Sequence, residues 1–171
     1  MIKILFVCHG NICRSPMAEF ILKDMVQKRG IAADFHIASA ATSNEEIGNH
    51  IYPPARAELA EHGIGGSASA EGGSGSPRGL AAEIAQKTAR RIRRSDYTEY
   101  DYLIAMEHFN VQNMMREFVS DPENRIYRLL DFTDHPGDID DPWYTRRFDV
   151  TYEEIVCGCE GLLARLGYRT E

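Results

Sequence analysis

Cys8, Arg14 and Ser15 stand in the stretch Cys8-His9-Gly10-Asn11-Ile12-Cys13-Arg14-Ser15-Pro16, directly after the apolar run Ile2-Lys3-Ile4-Leu5-Phe6-Val7. Five residues separate Cys8 from Arg14, and Pro16 suits the first turn of a helix. A loop entering a helix in this way turns successive backbone N–H groups into a concave nest, a ready anion site. An arginine adds a planar fork that suits two phosphate oxygens. A cysteine at the floor of that field is expected to be held as thiolate, since nearby positive charge lowers its pKa below the free value of about 8.5. Nucleophile, anion cradle and arginine together point to a phosphate-ester hydrolase working through a covalent cysteinyl phosphate.

The elements that must position these groups follow from the hydrophobic pattern. Residues 2–7 read as a buried parallel strand, because the run is almost continuously apolar. Residues 16–28 read as a helix with Met17, Phe20, Ile21 and Met25 on its buried side and Gly30 as its stop. Further strands are expected over 35–39, 102–106 and 126–130, and further helices over 53–61, 107–118 and 152–166. The intervening stretch 131–149 reads as a long loop, and loops of that length are usually functional. Alternating strands and helices predict an α/β three-layer sandwich, a central four-stranded parallel sheet with helices on both faces. In that architecture ligands bind beyond the carboxyl ends of the strands, where Cys8 sits.

The stretch CHGNICRSP after an N-terminal strand resembles the low-molecular-weight protein tyrosine phosphatases, and so does Asp141-Pro142-Trp143-Tyr144 far downstream. Ala38-Ser39-Ala40, Tyr52-Pro53-Pro54-Ala55-Arg56 and Asp101-Tyr102-Leu103-Ile104-Ala105-Met106 are similar to that family as well. The resemblance covers almost the whole chain apart from roughly residues 68–85. It implies a protein-tyrosine-phosphatase in which Cys8 attacks phosphorus, Arg14 binds the phosphoryl oxygens and Asp141 is the general acid. It further implies that His9, Gly10, Asn11, Ile12, Cys13 and Ser15 form the phosphate loop, with Asn11 bracing it and Ser15 donating to the thiolate. Ser39 matches a family serine that supports the loop from the next strand. Met106-Glu107 departs from the family's usual methionine-aspartate, so Glu107 is expected to hold Arg14 with a longer reach. Glu45 stands where some members carry an aromatic pocket wall, which leaves specificity open. Trp143 and Tyr144, beside the acid, are expected to wall a substrate ring. Asp131, Asp134, Asp138 and Asp140 share the loop of Asp141, and the Asp-Pro-aromatic context favours Asp141 over them.

Composition narrows the class. The 171 residues are 43% hydrophobic and 26% charged, enough for one α/β phosphatase domain over 1–171. A formal charge of −7 argues against a general nucleic-acid binder. No apolar run reaches membrane-spanning length and no signal-peptide pattern is present. Cys8, Cys13, Cys157 and Cys159 do not read as a secreted disulfide framework, so a cytoplasmic location is expected. Neither pair has zinc-finger spacing and the histidines form no metal pattern, so neither metal nor cofactor is expected. Cys13 is a candidate partner for an oxidised Cys8, which would make the enzyme redox-sensitive; a buried, inert thiol is the alternative. Phosphotyrosine proteins or peptides are the expected substrates, with inorganic phosphate and oxyanions as inhibitors.

Residues 65–79 have flexible-linker composition, and a strong helix former follows them. About 18 residues here look inserted relative to the family, over about 65–87 in all. An engineered linker and a natural surface loop both fit that composition. A helix from Pro77 to about Arg91 is expected, with Leu80, Ile84, Thr88 and Ile92 on one face. The segment is expected to leave the chemistry intact and to alter access or pairing between molecules.

Two sister chemistries and a non-enzymatic role compete. Thiol-linked arsenate reduction needs extra cysteines near the site, and Cys157 and Cys159 lie on the last helix. A phosphoarginine phosphatase of this kind typically has threonine at the position of Ile12 and a smaller residue after Asp-Pro. Ile12 and Trp143 favour phosphotyrosine instead. A phosphate-binding or redox-sensing module would not need the complete set of nucleophile, arginine and acid.

Overall fold

Strand β1 (Ile2–Cys8) is apolar and buried from Ile4 to Cys8, where both of its faces are covered. Ile4 and Phe6 enter one buried cluster, Leu5 and Val7 another. Alternate residues of a strand point to opposite sides, so the two clusters lie on the two faces of the sheet. The computed structural model describes residues 1–65 and 77–169. Among them β1, β2 (Phe35–Ala41), β3 (Tyr102–Ala105) and β4 (Ile126–Arg128) form a four-stranded parallel sheet in the order β2-β1-β3-β4.

The helices are α1 (Arg14–Lys28), α2 (Pro53–Glu61), α3 (Pro77–Gln86), α4 (Asp96–Glu99), α5 (His108–Phe118), α6 (Pro142–Thr145) and α7 (Phe148–Arg165). Met17, Phe20 and Ile21 of α1, Leu59 of α2, Leu80 and Ile84 of α3, and Leu162 and Leu163 of α7 share one cluster with Ile4 and Phe6. Met114 and Phe118 of α5 cover the other face with Ile92 and Tyr100. The expected three-layer α/β sandwich is the observed one. From β1 the chain steps outward to β2, then returns to the opposite side of β1 for β3. That reversal opens a crevice at the carboxyl ends of β1 and β3, the usual place for a ligand in such sheets. No helix of the described residues is long and apolar enough to cross a membrane.

Three expectations about elements need correction. The strand expected over 126–130 ends at Arg128, because Leu129–Phe132 winds into a 3-10 turn. The last helix starts at Phe148 rather than Tyr152, drawn back by burial of the Phe148 ring. The helix expected to reach Arg91 stops at Gln86. Its Leu80 and Ile84 are buried as expected, but Thr88 leaves the helix to pair with His50, and Ile92 is buried in the cluster across the sheet. Backbone bonds from Ala89 N–H to the Asn49 carbonyl (2.8 Å) and from Ile92 N–H to the Ala41 carbonyl (2.8 Å) hold this stretch extended. Tertiary pairing thus overrides a four-residue apolar period. The Gly/Ser stretch expected near 65–75 lies outside the described residues beyond Gly65.

Helix α7 approaches the Leu129–Phe132 turn through glycines. A Cβ on Gly161 would collide with the Phe132 carbonyl, and one on Gly158 with the Leu129 side chain. Backbone yields less than a side chain, so we expect Gly161→Ala to destabilise the fold by roughly 1–3 kcal/mol. Thermal or urea unfolding measures this; an unchanged midpoint would show that the turn can shift freely.

Candidate active site

Cys8 ends β1, and α1 begins at Arg14, so the residues between make the turn that joins a buried strand to a buried helix. The turn is closed by Asn11, whose φ of 58° lies in the left-handed region. Asparagine tolerates that conformation better than most residues with a Cβ. Its backbone N–H points at Cys8 Sγ (3.3 Å). Its side-chain Nδ2 donates to Ser15 Oγ (2.8 Å) and Ser39 Oγ (2.9 Å), and its Oδ1 accepts from the Arg90 backbone N–H (3.3 Å). Ser15 Oγ lies 3.0 Å from Cys8 Sγ. Asn11 and Ser15 are therefore buried behind the loop, bracing it and the sulfur.

Arg14 is 1% exposed, the largest fully buried side chain among the described residues. Its Nη1 donates to Glu107 Oε2 (2.8 Å) and to the Ile139 carbonyl (2.8 Å), and its Nη2 lies 3.3 Å from Asp141 Oδ2. Burial works against its charge, but Cys8, Asp141 and Glu107 outweigh it and hold its pKa above the ordinary arginine value. Glu107 does span the distance expected of the shorter aspartate. Its backbone N–H donates to Asn110 Oδ1 (3.1 Å) and its carbonyl accepts from the Asn110 N–H (3.1 Å), which fixes its backbone at the mouth of β3. Glu107 shares the seating of the buried Arg14 with the Ile139 carbonyl and Asp141, and breaking a buried ion pair costs up to about 3–5 kcal/mol.

Asp141 caps α6, accepting from the Trp143 backbone N–H (3.0 Å). Cap and ion pair together hold its carboxylate over the loop. Asp140 is exposed and does not line the pocket. A cavity of about 250 Å³ lies between the two loops, lined by Cys8, His9, Gly10, Ile12, Cys13, Arg14, Glu45, Glu46, Asp141, Trp143 and Tyr144. Trp143 leans on Tyr52 with ring centroids 4.8 Å apart, while Tyr144 is 81% exposed at the rim. His9 Nε2 sits 3.0 Å from Glu45 Oε2 on the opposite rim. Burial, Cys8 and Asp141 push the Cys13 thiol well above its ordinary range.

All the residues expected at the site converge on this crevice, in two tiers. Cys8, His9, Gly10, Ile12, Cys13, Arg14, Asp141, Trp143 and Tyr144 line the cavity; Asn11, Ser15, Ser39 and Glu107 stand behind it. Four participants were not anticipated. Tyr52 supports Trp143 and receives a hydrogen bond from Arg146 Nη2 (3.2 Å) at its hydroxyl. Glu46 lines the mouth beside Gly10. Glu19 and Lys87 lie beneath Ser39, joined by an ion pair of 3.0 Å.

A family model described as low molecular weight phosphotyrosine protein phosphatase matches residues 3–75 and 78–170. The stretch read as an insertion therefore lies mostly within matched sequence. The low molecular weight protein-tyrosine-phosphatase YfkJ of Bacillus subtilis is 34% identical over 168 residues, 97% of this chain and 96% of YfkJ. The crystal structure of YfkJ superposes with a TM-score of 0.81, covering 98% of this chain and 95% of that one. SP-PTP, a low molecular weight protein tyrosine phosphatase from Streptococcus pyogenes, gives 0.78 at 33% identity, over 97% and 93% of the two chains. An arginine phosphatase from Drosophila gives 0.76 at 27% identity, over 96% and 98%. With the strand, loop and acid in place and the match running the length of the chain, this protein belongs to the low molecular weight phosphotyrosine protein phosphatase family and is a protein-tyrosine-phosphatase.

Proposed function

We propose that residues 1–171 act as one phosphatase domain that hydrolyses phosphotyrosine in proteins and peptides, with Cys8 as nucleophile, Arg14 as phosphoryl ligand and Asp141 as general acid. The observation that carries this is the convergence of Cys8 Sγ, Arg14 and Asp141 at one cavity, with Arg14 and Asp141 3.3 Å apart. The Cys8 thiolate attacks phosphorus in line with the tyrosine oxygen. Loop amides and Arg14 bind the three equatorial oxygens and stabilise the charge of the transition state. Asp141 gives its proton to the departing phenolate, and then takes one from the water that hydrolyses the phosphocysteine. Trp143 and Tyr144 flank the tyrosine ring. Inorganic phosphate and vanadate compete for the same cradle, and the cytosol is the expected compartment.

Phosphoarginine is the second reading, supported by the arginine phosphatase among the structural neighbours. Ile12 and Trp143 both line the cavity, and by the family pattern these two residues favour phosphotyrosine. Assaying phosphotyrosine peptide, phosphoarginine peptide and arsenate with one preparation separates the readings. Highest kcat/KM on phosphotyrosine is expected; a higher value on phosphoarginine would reverse the assignment.

Redox control is a further part of the proposal. Peroxide oxidises the Cys8 thiolate to a sulfenic acid, and the sulfur of Cys13 displaces hydroxide from it to form a Cys8–Cys13 disulfide. Both cysteines are free and buried, and both line the cavity. The raised pKa of the Cys13 thiol slows this closure, because less of it is thiolate. We expect peroxide-inactivated enzyme to regain activity with a thiol reductant, and Cys13→Ser to regain much less. Equal recovery of both would show that Cys13 gives no protection.

A further inference from the structure

Arg146 stands directly after α6, and its φ of 60° lies in the left-handed region, where residues with long side chains are uncommon. Glycine would take that turn without strain. The Arg146 guanidinium lies over two rings, with Cζ 5.4 Å from the Tyr52 centroid and 5.6 Å from that of Phe148. Its Nη2 also donates to the Tyr52 hydroxyl (3.2 Å). A strained backbone position that carries a side chain with such specific partners points to a use for that side chain.

Tyr52 shows what the use is. Its backbone N–H donates to the Ile12 carbonyl of the phosphate loop (2.9 Å), and α2 starts at the next residue, Pro53. Its ring packs on Trp143 with centroids 4.8 Å apart, and lies 6.1 Å from Phe148, which is buried at the start of α7. Tyr52 is thus tied to the phosphate loop through its backbone. Its side chain holds the acid turn twice, through Trp143 inside α6 and through Arg146 at its end.

One moment of the reaction needs such a hold. Without substrate, Asp141 is drawn to the loop by Arg14, 3.3 Å away. That attraction needs a charged carboxylate. To act as an acid, Asp141 must carry a proton, while Arg14 turns its charge to the phosphoryl oxygens. The ion pair therefore cannot place Asp141 while it donates. The contacts of Trp143 and Arg146 with Tyr52 do not depend on the charge of Asp141.

We propose that Arg146 and Tyr52 are positioning residues for the general acid: their contact latches the turn from Asp141 to Arg146 onto the phosphate loop, so that protonated Asp141 stays aimed at the leaving oxygen. The inference rests on Asp141 as the acid proposed above.

The test uses Arg146→Asn, Arg146→Lys, Tyr52→Phe and the double variant Arg146→Asn/Tyr52→Phe, with folding verified by circular dichroism. Arg146 is exposed, asparagine tolerates a positive φ and phenylalanine keeps the ring, so all should fold. Should Arg146→Asn fail to fold, Arg146→Gly, which suits the same φ, takes its place alone and in the double variant. Two small substrates carry the kinetics: phenyl phosphate, whose leaving group needs a proton, and 4-nitrophenyl phosphate, whose leaving group departs without one. Trp143 is the only tryptophan of the chain, so its emission reports on the acid turn directly.

For Arg146→Asn we expect kcat/KM to fall roughly tenfold on phenyl phosphate and to stay within about twofold on 4-nitrophenyl phosphate, with Trp143 quenched more readily by acrylamide. Arg146→Lys keeps a cation over the rings and should stay within about threefold of the parent on both. Tyr52→Phe should lose about threefold on phenyl phosphate, and adding it to Arg146→Asn should cost almost nothing more, because the hydroxyl has then already lost its partner. Asp141→Asn is measured alongside. Equal losses by Asp141→Asn on the two substrates would remove the acid, and the latch with it. If Asp141→Asn separates the substrates and Arg146→Asn does not, the latch alone is overturned. Unchanged quenching in Arg146→Asn, a loss that Arg146→Lys shares in full, or fully additive losses in the double variant would overturn it as well.

Discussion

Cys8→Ser should abolish turnover of phosphotyrosine peptide while leaving phosphate and vanadate binding measurable. The serine hydroxyl keeps the size of the side chain but is a far weaker nucleophile at neutral pH. The cradle itself does not depend on the sulfur. Arg14 stays fixed by Glu107 at 2.8 Å and by the Ile139 carbonyl at 2.8 Å, and Asn11 stays fixed by Ser15, Ser39 and the Arg90 N–H. Binding and chemistry should therefore separate: competitive binding of inorganic phosphate within about tenfold of the parent, and kcat below detection. Substantial turnover by a clean Cys8→Ser preparation would remove Cys8 from the mechanism.

Asp141→Ala should slow hydrolysis by roughly 10²–10⁴ for phosphotyrosine, whose leaving group needs a proton. An activated aryl phosphate, whose leaving group departs without one, should lose much less in its first chemical step. Alanine also removes the cap of α6, since Asp141 Oδ1 accepts from the Trp143 N–H at 3.0 Å, and cap loss costs about 1 kcal/mol. Asp141→Asn keeps a good capping residue and still lacks the transferable proton. The same dependence on leaving group in both variants would assign the effect to proton donation. Equal losses on both substrates would assign it to the loop, and Asp140→Ala would then be the next variant, although Asp140 is exposed and outside the cavity.

The near side of this site could be read from the chain, and the far side could not, for a reason that Glu19 makes plain. Cys8 to Pro16 is a local motif: strand end, tight turn and helix start follow one another, and their types alone indicate an anion nest. Asp141-Pro142-Trp143 is likewise a local cap whose residues announce the turn. Glu19 and Lys23, by contrast, are spaced as an ordinary solvent-facing helix pair. Nothing local says that Ser39 and Lys87 close over Glu19, because those contacts span 20 and 68 residues of sequence. Lys87 was further hidden by the apolar spacing of Leu80, Ile84, Thr88 and Ile92, which predicts a continuous helix through it. The helix ends at Gln86 because pairing with Asn49, His50 and Ala41 pulls the next residues straight. Glu107 was half readable: its place after β3 indicated the role, but only the structure shows its backbone fixed by Asn110 and its longer side chain reaching Arg14.

The central claim, a covalent phosphoryl group on Cys8, can be tested without inference from rates. In Asp141→Ala the first step with an activated aryl phosphate stays fast, while hydrolysis of the intermediate loses its base. The phosphoenzyme should then accumulate. Acid quenching followed by mass spectrometry of the digested protein should find a phosphoryl group on the Cys8 peptide, formed in step with a burst of aryl alcohol equal to the enzyme present. A burst with the phosphoryl group on another residue, or turnover with no phosphoenzyme at any quench time, would contradict the account.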